Sequence, residues 1–366
     1  MLDMETLVLP EGPEREAIRR AYIDLIYGDA AAHAETKQGR HDVDANAFIR
    51  YNRTVTKVIP WIQRVFDLRG QRVLEIGCGT GSSGVAIARI AGEVLGVDPK
   101  ERCLEVARRR AEIMGVGNVR FMQGFSPQVF DQLDELLPPP VDVIMFSAVL
   151  EHQTVPERLQ TLRRAWKALR PGGIFVVAET PNRLTYRDSH TTGLMFFDML
   201  EEELALRAFH LSDRAAYVRD MKACMEKSLQ AAREMRVRRG RGVSYYDFDV
   251  ALPGRPYEIL ADGYEPEPLE AFRVTYEERL LQSCIAMAGL NVPSVFQRHT
   301  IYGIFRKPEP GTSRTPPLKR DFSPFVATRE DVRQVAEMVR SGRTDDALRR
   351  LSELGDKKID AQRAEA

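Results

Sequence analysis

The sequence carries no net charge, because its 53 Lys and Arg side chains are balanced by 53 Asp and Glu side chains. A balanced charge gives no general attraction to nucleic acid or to an anionic membrane, so no nucleic-acid partner is expected. The chain also lacks a run of about 18 apolar residues, which a membrane-spanning helix would need, and no membrane span is expected. The N-terminal stretch MLDMETLVLPEGPERE is acidic and has no apolar centre, which does not fit a signal peptide.

Cysteine is scarce, with four residues in the chain, and none of them forms a C-x-x-C pair. The four positions are Cys78, Cys103, Cys224 and Cys284. Their spacing suggests neither a zinc site nor a disulfide framework. Reduced thiols are the expected state, and a cytoplasmic location is predicted.

Residues 70–180 alternate between short hydrophobic runs and helical periodicities, which is typical of an α/β domain. The hydrophobic runs predict strands over 73–76, 94–97, 119–122, 141–146 and 174–178. The intervening segments predict helices up to about 90, over 101–114 and over 156–169. Because the crossovers are short, the expected architecture is a doubly wound, mostly parallel sheet with right-handed connections.

The segments on either side of this α/β core are predicted to be mainly helical. Residues 1–69 are expected to form an N-terminal helical cover, with helices over 14–28 and 48–66 and a polar loop over 30–42. Residues 181–275 are helix-like from about 196 to 236 and are longer than a plain crossover needs. This part of the chain is interpreted as an inserted lid.

The C-terminal part is expected to complete the core and then to leave it. A helix over 276–288 and strands near 293–298 and 300–306 are predicted to finish the sheet, so that 276–306 belongs to the core. Residues 307–366 are interpreted as a proline-containing linker and a helical tail, with helices at about 328–340 and 344–354. Thr328 and Asp331 have capping-box spacing. The tail or the N-terminal helices would be available for homo-oligomer formation.

The stretch VLEIGCGTG, residues 73–81, joins a predicted strand to a predicted helix through glycines. Glycine lets the backbone approach a ligand closely, and a helix start offers free N–H groups. Residues 79–84 match G-x-G-x-x-G with Asp98 about 20 residues further on, a pattern also found in nicotinamide-dependent oxidoreductases. Glu75 argues against that ligand, because its carboxylate would repel a pyrophosphate and favour a cation.

Four motifs together resemble those of class I S-adenosylmethionine-dependent methyltransferases. They are VLEIGCGTG, LGVDP at 95–99, DVIMFSAVLEH at 142–152 and LRPGGIFVV at 169–177. The chain looks most like the small-molecule methyltransferases of the ubiquinone-biosynthesis type, over about 70–180 and the end of the core to 306. The resemblance implies a seven-stranded Rossmann-like fold, with S-adenosylmethionine as cofactor and S-adenosylhomocysteine as product.

The resemblance also implies which residues hold the cofactor. Glu75 would order the glycine turn and help to place the methionine ammonium, and Asp98 would accept both ribose hydroxyls. The family usually has Asp after the glycine that follows the third strand, whereas this chain has Gly124-Phe125-Ser126. Here the aromatic ring would stack on adenine and the serine hydroxyl would contact its amino group. The other implied cofactor contacts are Gly77, Cys78, Gly79, Pro99 and Ser147.

Methyl transfer is an in-line displacement that mainly requires proximity and alignment. A base is needed when the attacking group carries a proton, as a hydroxyl does. The candidate catalytic residues are His152, after the fourth strand, and His190, which Asp188 would orient. Each also has a structural interpretation, as loop-ordering residues or as part of a capped polar loop. The Asp-x-His pair slightly favours a hydroxyl acceptor over an amine.

Two more groups of polar residues have alternative interpretations. Asp188, His190, Glu151 and His152 would offer metal ligands, but none has a diagnostic spacing, and no metal is expected. The basic run from Arg236 to Arg241 would either bind an anionic substrate or nucleic acid, or form a solvated helix end.

The sequence therefore predicts an S-adenosylmethionine-dependent methyltransferase that acts on a small-molecule acceptor beneath a large lid. Three alternatives stay open at this point. They are a protein methyltransferase, a nicotinamide-dependent oxidoreductase and a non-catalytic S-adenosylmethionine-binding scaffold.

Overall fold

The computed structural model describes residues 8–188, 190–265, 267, 278, 281–282, 284–285, 288–313, 318, 329–350 and 353. The chain divides into two compact units, the first formed by Met1–Arg273 with Thr300–Leu318 and the second by Val274–His299 with Lys319–Ala366. The sheet and all of the predicted site residues belong to the first unit.

The first unit is built on one seven-stranded sheet with the order β3-β2-β1-β4-β5-β7-β6. Strands β1 to β5 are parallel, β7 runs antiparallel to β5, and β6 runs antiparallel to β7. The predicted doubly wound, mostly parallel α/β sheet of seven strands is confirmed. The strands are β1 (Arg72–Ile76), β2 (Glu93–Asp98), β3 (Val119–Gln123), β4 (Val141–Ser147), β5 (Leu169–Pro181), β6 (Glu258–Ala261) and β7 (Thr300–Arg306).

Helices cover both faces of the sheet, as expected for parallel strands that are buried on each side. The central strands are mostly buried, and apolar side chains such as Val73, Val143 and Met145 join the main core with residues of the helices. Helices of the described residues are α1 (Pro13–Tyr22), α2 (Lys37–Asp44), α3 (Arg50–Arg53), α4 (Ile59–Gln63), α5 (Ser82–Ala88), α6 (Glu101–Ile113), α7 (Leu133–Leu136), α8 (Val155–Ala168), α9 (Glu202–Ala208), α10 (Ala215–Lys227), α11 (Leu229–Arg238), α12 (Tyr245–Ala251) and α13 (Arg329–Arg340).

The predicted polar loop over 30–42 is wrong, because this segment is helical. It contains a 3-10 helix, Gly28–Glu35, followed by α2. The hydroxyl of Thr36 accepts a hydrogen bond from the Gly39 amide at 3.0 Å and so caps the start of α2. Val43 is the apolar residue that α2 buries, while polar residues such as Lys37 and Arg40 face outward. One buried apolar residue and one capping residue are enough to form this helix, although they leave little hydrophobic periodicity in the sequence.

The predicted strand near 293–298 is also wrong. Ser294–Gln297 is a 3-10 helix, and the strand that pairs with β7 is β6, from the segment interpreted as a lid. Val295 and Phe296 are fully buried, which explains the strand-like hydrophobic pattern. Pro293 precedes the 3-10 helix and cannot donate a ladder hydrogen bond, and the side-chain amide of Gln297 donates to the Val292 carbonyl at 2.7 Å. These features close a turn.

The inserted segment after β5 has a small core of its own. Its predicted helix-like stretch is divided into α9, α10 and α11, with 3-10 turns at Phe197–Met199 and Phe209–Leu211. The buried side chains that these elements share are Phe197, Ala205, Leu206, Phe209, Tyr217, Met221 and Ala232. The segment is therefore a packed helical layer that can hold side chains in fixed positions.

The second unit contains α13, which agrees with the predicted helix over 328–340, and a helical stretch over 344–350. Thr328 and most of the predicted helix over 276–288 lie outside the described residues. No helix within the described ranges is long and apolar enough to cross a membrane.

Candidate functional site

The glycine turn after β1 is tied to the neighbouring strand and to the loop after β4. The amides of Gly77 and Cys78 both donate to the Val97 carbonyl of β2, at 2.7 Å and 3.0 Å. Gly77 has a positive φ of 74°, and a Cβ there would lie 2.4 Å from Cγ2 of Val149. Only glycine fits this position, and its absence of a side chain brings the β4 loop against the turn.

Glu75 lies beneath this turn with one free oxygen. Its Oε1 accepts a hydrogen bond from the Ser83 hydroxyl at the start of α5, which supports the predicted role in ordering the turn. Its Oε2 is buried and finds no hydrogen-bond partner among the described residues. Burial raises the pKa of Glu75 to about 7, although the bond from Ser83 acts in the opposite direction. A bound ammonium would stabilise the ionised carboxylate.

Asp98 ends β2 and faces the same turn. Its carboxylate accepts hydrogen bonds from the Gly79 amide at 3.0 Å and from the Lys100 amide at 2.9 Å. Burial raises the pKa of Asp98, and these two backbone bonds partly offset the effect. Each oxygen has a lone pair left for a ligand hydroxyl, which fits the predicted contact with a ribose. Pro99 follows at the surface.

The run after β3 stands next to Asp98. The Gly124 amide donates to the Asp98 carbonyl at 3.1 Å. Phe125 is 36% exposed, and the guanidinium carbon of Arg238 lies 5.0 Å from its ring centroid. The Ser126 hydroxyl is buried 2.7 Å from that of Thr161 on α8. Phe125 therefore has an open face for stacking, whereas Ser126 already has a hydrogen-bond partner.

The loop after β4 carries the candidate base. Ser147 ends β4 beside Ala178 of β5 and is half-buried, within reach of the crevice at the carboxyl ends of the strands. Nδ1 of His152 lies 2.9 Å from the Arg238 carbonyl, which fixes this nitrogen as a donor and leaves Nε2 as an acceptor. Burial, followed by repulsion from His190, lowers the pKa of His152 to about 4. The ring is therefore neutral at pH 7.

Glu151 and His190 complete a cluster around His152. Oε1 of Glu151 lies 3.9 Å from His152 Nε2, and the two imidazole centroids are 5.9 Å apart. Both carboxylate oxygens of Glu151 are buried and lack a hydrogen-bond partner in the described part of the chain. Burial raises the pKa of Glu151 to about 8 and lowers the pKa of His190. The structure therefore brings both predicted histidines together and adds Glu151 to them.

Asp188 does not have the predicted role of orienting the His190 ring. Its carboxylate accepts hydrogen bonds from the amides of His190, Thr191 and Thr192, at 3.1, 2.8 and 2.7 Å. The hydroxyls of both threonines donate to it as well. Burial alone would raise the pKa of Asp188, but these hydrogen bonds outweigh it and lower the pKa. Asp188 holds the loop that carries His190 through backbone hydrogen bonds, and its charge opposes the lowering of the His190 pKa without a hydrogen bond to the ring being among those it accepts.

The Glu151, His152 and His190 cluster also has the donors that a divalent transition metal prefers. One potential ligand atom from each residue lies within 4.8 Å of the others. Two neutral imidazoles and a carboxylate suit zinc or iron, and a backbone carbonyl that orients a ligating imidazole is common at such sites. The absence of a metal stays a prediction.

Arg110 is a site residue that sequence reasoning missed. It is fully buried in α6 and donates to the carbonyls of Thr80 at 3.0 Å, Ala47 at 2.5 Å and Asn46 at 2.6 Å. Thr80 belongs to the glycine turn, whereas Ala47 and Asn46 belong to the N-terminal cover. The Arg110 side chain therefore binds the turn and the cover to the same helix. Arg110 lies three residues after Ala107, on the apolar side of α6. A charged residue on that side is the sequence signal that could have identified Arg110 as a buried hydrogen-bond donor.

Replacing Arg110 by Met is expected to lower the free energy of unfolding by about 2–3 kcal/mol, because buried carbonyls lose their donors. The loss is partial because the variant no longer has to bury a charged guanidinium. The cost of that burial is what lowers the pKa of Arg110 to about 10. Urea unfolding measures the change. Arg109→Met is the matched control, since Arg109 is exposed and pairs only with Glu112 among the described residues. Equal stability of the two variants would contradict the role of Arg110.

The comparisons with known proteins identify the domain that contains this site. A family model described as a methyltransferase domain matches residues 67–241. The chain is 35% identical over 116 residues to a ubiquinone biosynthesis O-methyltransferase of Azorhizobium caulinodans, covering 32% of this chain and 42% of the relative. It is 32% identical over 132 residues to a probable S-adenosylmethionine-dependent methyltransferase of Mycolicibacterium smegmatis, covering 36% and 46%.

Among solved structures, a putative O-methyltransferase from Klebsiella pneumoniae is 19% identical with a TM-score of 0.33, covering 60% of this chain and 81% of that one. This likeness is too low to bear on the function. The chain spans less than half the length of the two curated relatives named above. The family model includes the glycine turn and decides against the nicotinamide interpretation of the turn. Residues 67–241 therefore form a class I S-adenosylmethionine-dependent methyltransferase domain, whose cofactor is S-adenosylmethionine and whose product is S-adenosylhomocysteine.

Proposed function

We propose that the whole chain transfers a methyl group to a hydroxyl of a small-molecule acceptor. The observation that carries this proposal is the buried Glu151 beside a neutral His152, because a hydroxyl must lose a proton during methyl transfer. The name of the Azorhizobium caulinodans relative, an O-methyltransferase, agrees with oxygen as the acceptor atom.

The chain's own residues divide the cofactor and acceptor tasks between two loops. S-adenosylmethionine, when bound, supplies a methyl group on a positively charged sulfur that needs alignment more than activation. Glu75 would hold the ammonium with its free oxygen, and Asp98 would hold the ribose. Val149 contacts Gly77, so the loop that follows β4 places His152 three residues from the cofactor turn.

Proton removal would fall to His152. Its Nδ1 donates to the Arg238 carbonyl, so Nε2 is the nitrogen that accepts the proton of the acceptor hydroxyl. The resulting imidazolium would be stabilised by the carboxylate of Glu151, 3.9 Å away. His190 lies beside the base, with its ring centroid 5.9 Å from that of His152.

Isothermal titration with S-adenosylmethionine, S-adenosylhomocysteine and NAD tests the cofactor part of this proposal. Micromolar binding of the first two without a response to NAD is expected. A methyl-transfer assay with paired phenols and anilines of the same skeleton then tests the acceptor atom. Transfer to the phenols is expected, whereas transfer to the anilines alone would overturn the hydroxyl assignment. A third outcome is that the cofactor binds and peptides are methylated, but neither the phenols nor the anilines are. This outcome would replace the small-molecule proposal with protein methylation.

A further inference from the structure

Three arginines of the inserted segment, Arg183, Arg236 and Arg241, come together behind the base cluster. We call them the arginine cluster. Arg183 follows β5, Arg236 lies in the last turn of α11, and Arg241 follows that helix. Nε of Arg183 donates to the Asp198 carbonyl at 3.0 Å. The Arg183 amide donates to the Val243 carbonyl at 2.9 Å, two residues after Arg241, and Arg236 faces the ring of Phe197, the neighbour of Asp198. Burial, followed by repulsion from Arg236 and Arg183, lowers the pKa of Arg241 to about 10.

The basic run is divided: Arg238 and Arg239 lie at the surface and pair with carboxylates, whereas Arg236 is buried. Arg236 is only 4% exposed, and its guanidinium carbon lies 5.4 Å from the ring centroid of Phe197. Its Nε and Nη2, and Nε of Arg241, are buried without a hydrogen-bond partner in the part of the chain that the structure describes. The Tyr217 hydroxyl is also buried there and unpaired. A buried guanidinium with unused donors is unfavourable unless a ligand supplies acceptors.

The carboxylates of this region do not balance the three positive charges. Asp198 is buried beside the cluster, and burial, reinforced by repulsion from Asp188, raises its pKa to about 6. Asp188 stays ionised, because the hydrogen bonds from its own loop, at 2.7 and 2.8 Å for two of the amides, lower its pKa, and it therefore offsets one of the positive charges. Glu202 pairs with Arg233 at 2.8 Å. An excess of positive charge is left in a partly desolvated place, which favours an anion.

The segment 236–241, which carries two residues of the arginine cluster, also forms backbone hydrogen bonds with His152 and Glu151. The Arg238 carbonyl accepts from His152, and the Arg241 amide donates to the Glu151 carbonyl at 2.8 Å. A group held by Arg236 or Arg241 is thereby placed within one molecule's reach of the base cluster. The inserted segment, with its own packed core, keeps these positions fixed.

We propose that the arginine cluster binds an oxyanion, a carboxylate or a phosphate, that the methyl acceptor carries at a distance from its reacting hydroxyl. The planar guanidinium fork matches both groups in geometry, and the Tyr217 hydroxyl supplies a further donor. The link to the acceptor rests on the proposed function, whereas the oxyanion site itself does not.

The first test measures anion binding without methyl transfer. The full chain is titrated with benzoate and, separately, with inorganic phosphate, and affinity and thermal shift are recorded. Saturable binding of one of them is expected, and the stronger of the two identifies the group. Arg236→Met should weaken it at least 10-fold and Arg241→Gln several-fold, while S-adenosylhomocysteine affinity stays the same. Arg219→Gln is the matched control, because Arg219 is 74% exposed and pairs with its neighbour Asp220.

Three results would overturn the oxyanion site. One is the lack of saturable binding of both anions to the wild-type chain. Another is equal binding by the Arg236→Met and Arg219→Gln variants. The third is binding by a folded Arg236→Lys variant that equals the wild type, since lysine lacks the fork. Failure to bind S-adenosylhomocysteine would instead count against the proposed function and leave this measurement valid.

The second test addresses the acceptor. For a hydroxyl acceptor that carries a carboxylate, Arg241→Gln should raise KM several-fold with little change in kcat. The methyl ester of the same acceptor should show no such difference between variant and wild type. An equal effect on acid and ester would overturn the assignment to the acceptor.

Discussion

Replacing Asp98 by alanine is expected to weaken the binding of S-adenosylhomocysteine by at least about 100-fold. Two hydrogen bonds from ribose hydroxyls to a carboxylate are worth about 1.5–3 kcal/mol each. The carboxylate also accepts the amides of Gly79 and Lys100, at 3.0 and 2.9 Å, so its loss additionally loosens the glycine turn. Isothermal titration of the purified variant measures the change.

A ligand-side control separates the ribose contact from disturbance of the turn. An S-adenosylhomocysteine analogue that lacks both ribose hydroxyls should bind the wild-type chain weakly, and any further loss of affinity for it in Asp98→Ala measures the disturbance of the turn alone. Asp98→Asn keeps an acceptor oxygen for one amide, and its affinity for S-adenosylhomocysteine should lie between those of the wild type and Asp98→Ala. If Asp98→Ala bound S-adenosylhomocysteine within threefold of the wild type, the ribose assignment of Asp98 would be wrong.

The parallel core was predictable because its signals are local. Strands such as β1 and β4 are mostly buried and rich in apolar residues, so their composition identifies them. The segment 293–298 has only the Val295-Phe296 pair as an apolar signal, and the prediction failed there because Pro293 and the Gln297 side chain close a turn. Strand β6 was missed because four residues carry too little pattern, and only pairing with β7 makes it a strand.

The site divides in the same way. The glycine turn, Glu75 and Asp98 lie within one strand–helix–strand unit, β1-α5-β2, so their spacing predicts their proximity. The contact of Arg110 with the Asn46 and Ala47 carbonyls joins segments more than 60 residues apart, and nothing local predicts it. Burial of Arg236 likewise depends on the tertiary packing of the inserted segment, so its basic run resembled an exposed helix end.

Removing the base is expected to give the largest effect on turnover. His152→Ala should lower kcat by about 10²- to 10⁴-fold for a hydroxyl acceptor, which is the usual contribution of a positioned base. S-adenosylhomocysteine affinity should not change, because the predicted cofactor contacts lie elsewhere. His210→Ala is the matched control, since His210 is exposed and lies on the inserted segment. A loss of less than fivefold in His152→Ala would remove His152 from the mechanism.

The pH dependence of kcat distinguishes a base from a residue that only shapes the loop. Burial raises the pKa of Glu151 to about 8, so its carboxylate is mostly protonated at pH 7 and ionises as the pH rises. An ionised Glu151 stabilises the imidazolium that forms on His152, and kcat should therefore increase through about pH 8. His152 itself is neutral throughout, because its pKa is lowered to about 4. Glu151→Gln should abolish the increase, and a pH profile that keeps its inflection in this variant would assign the titration to another group.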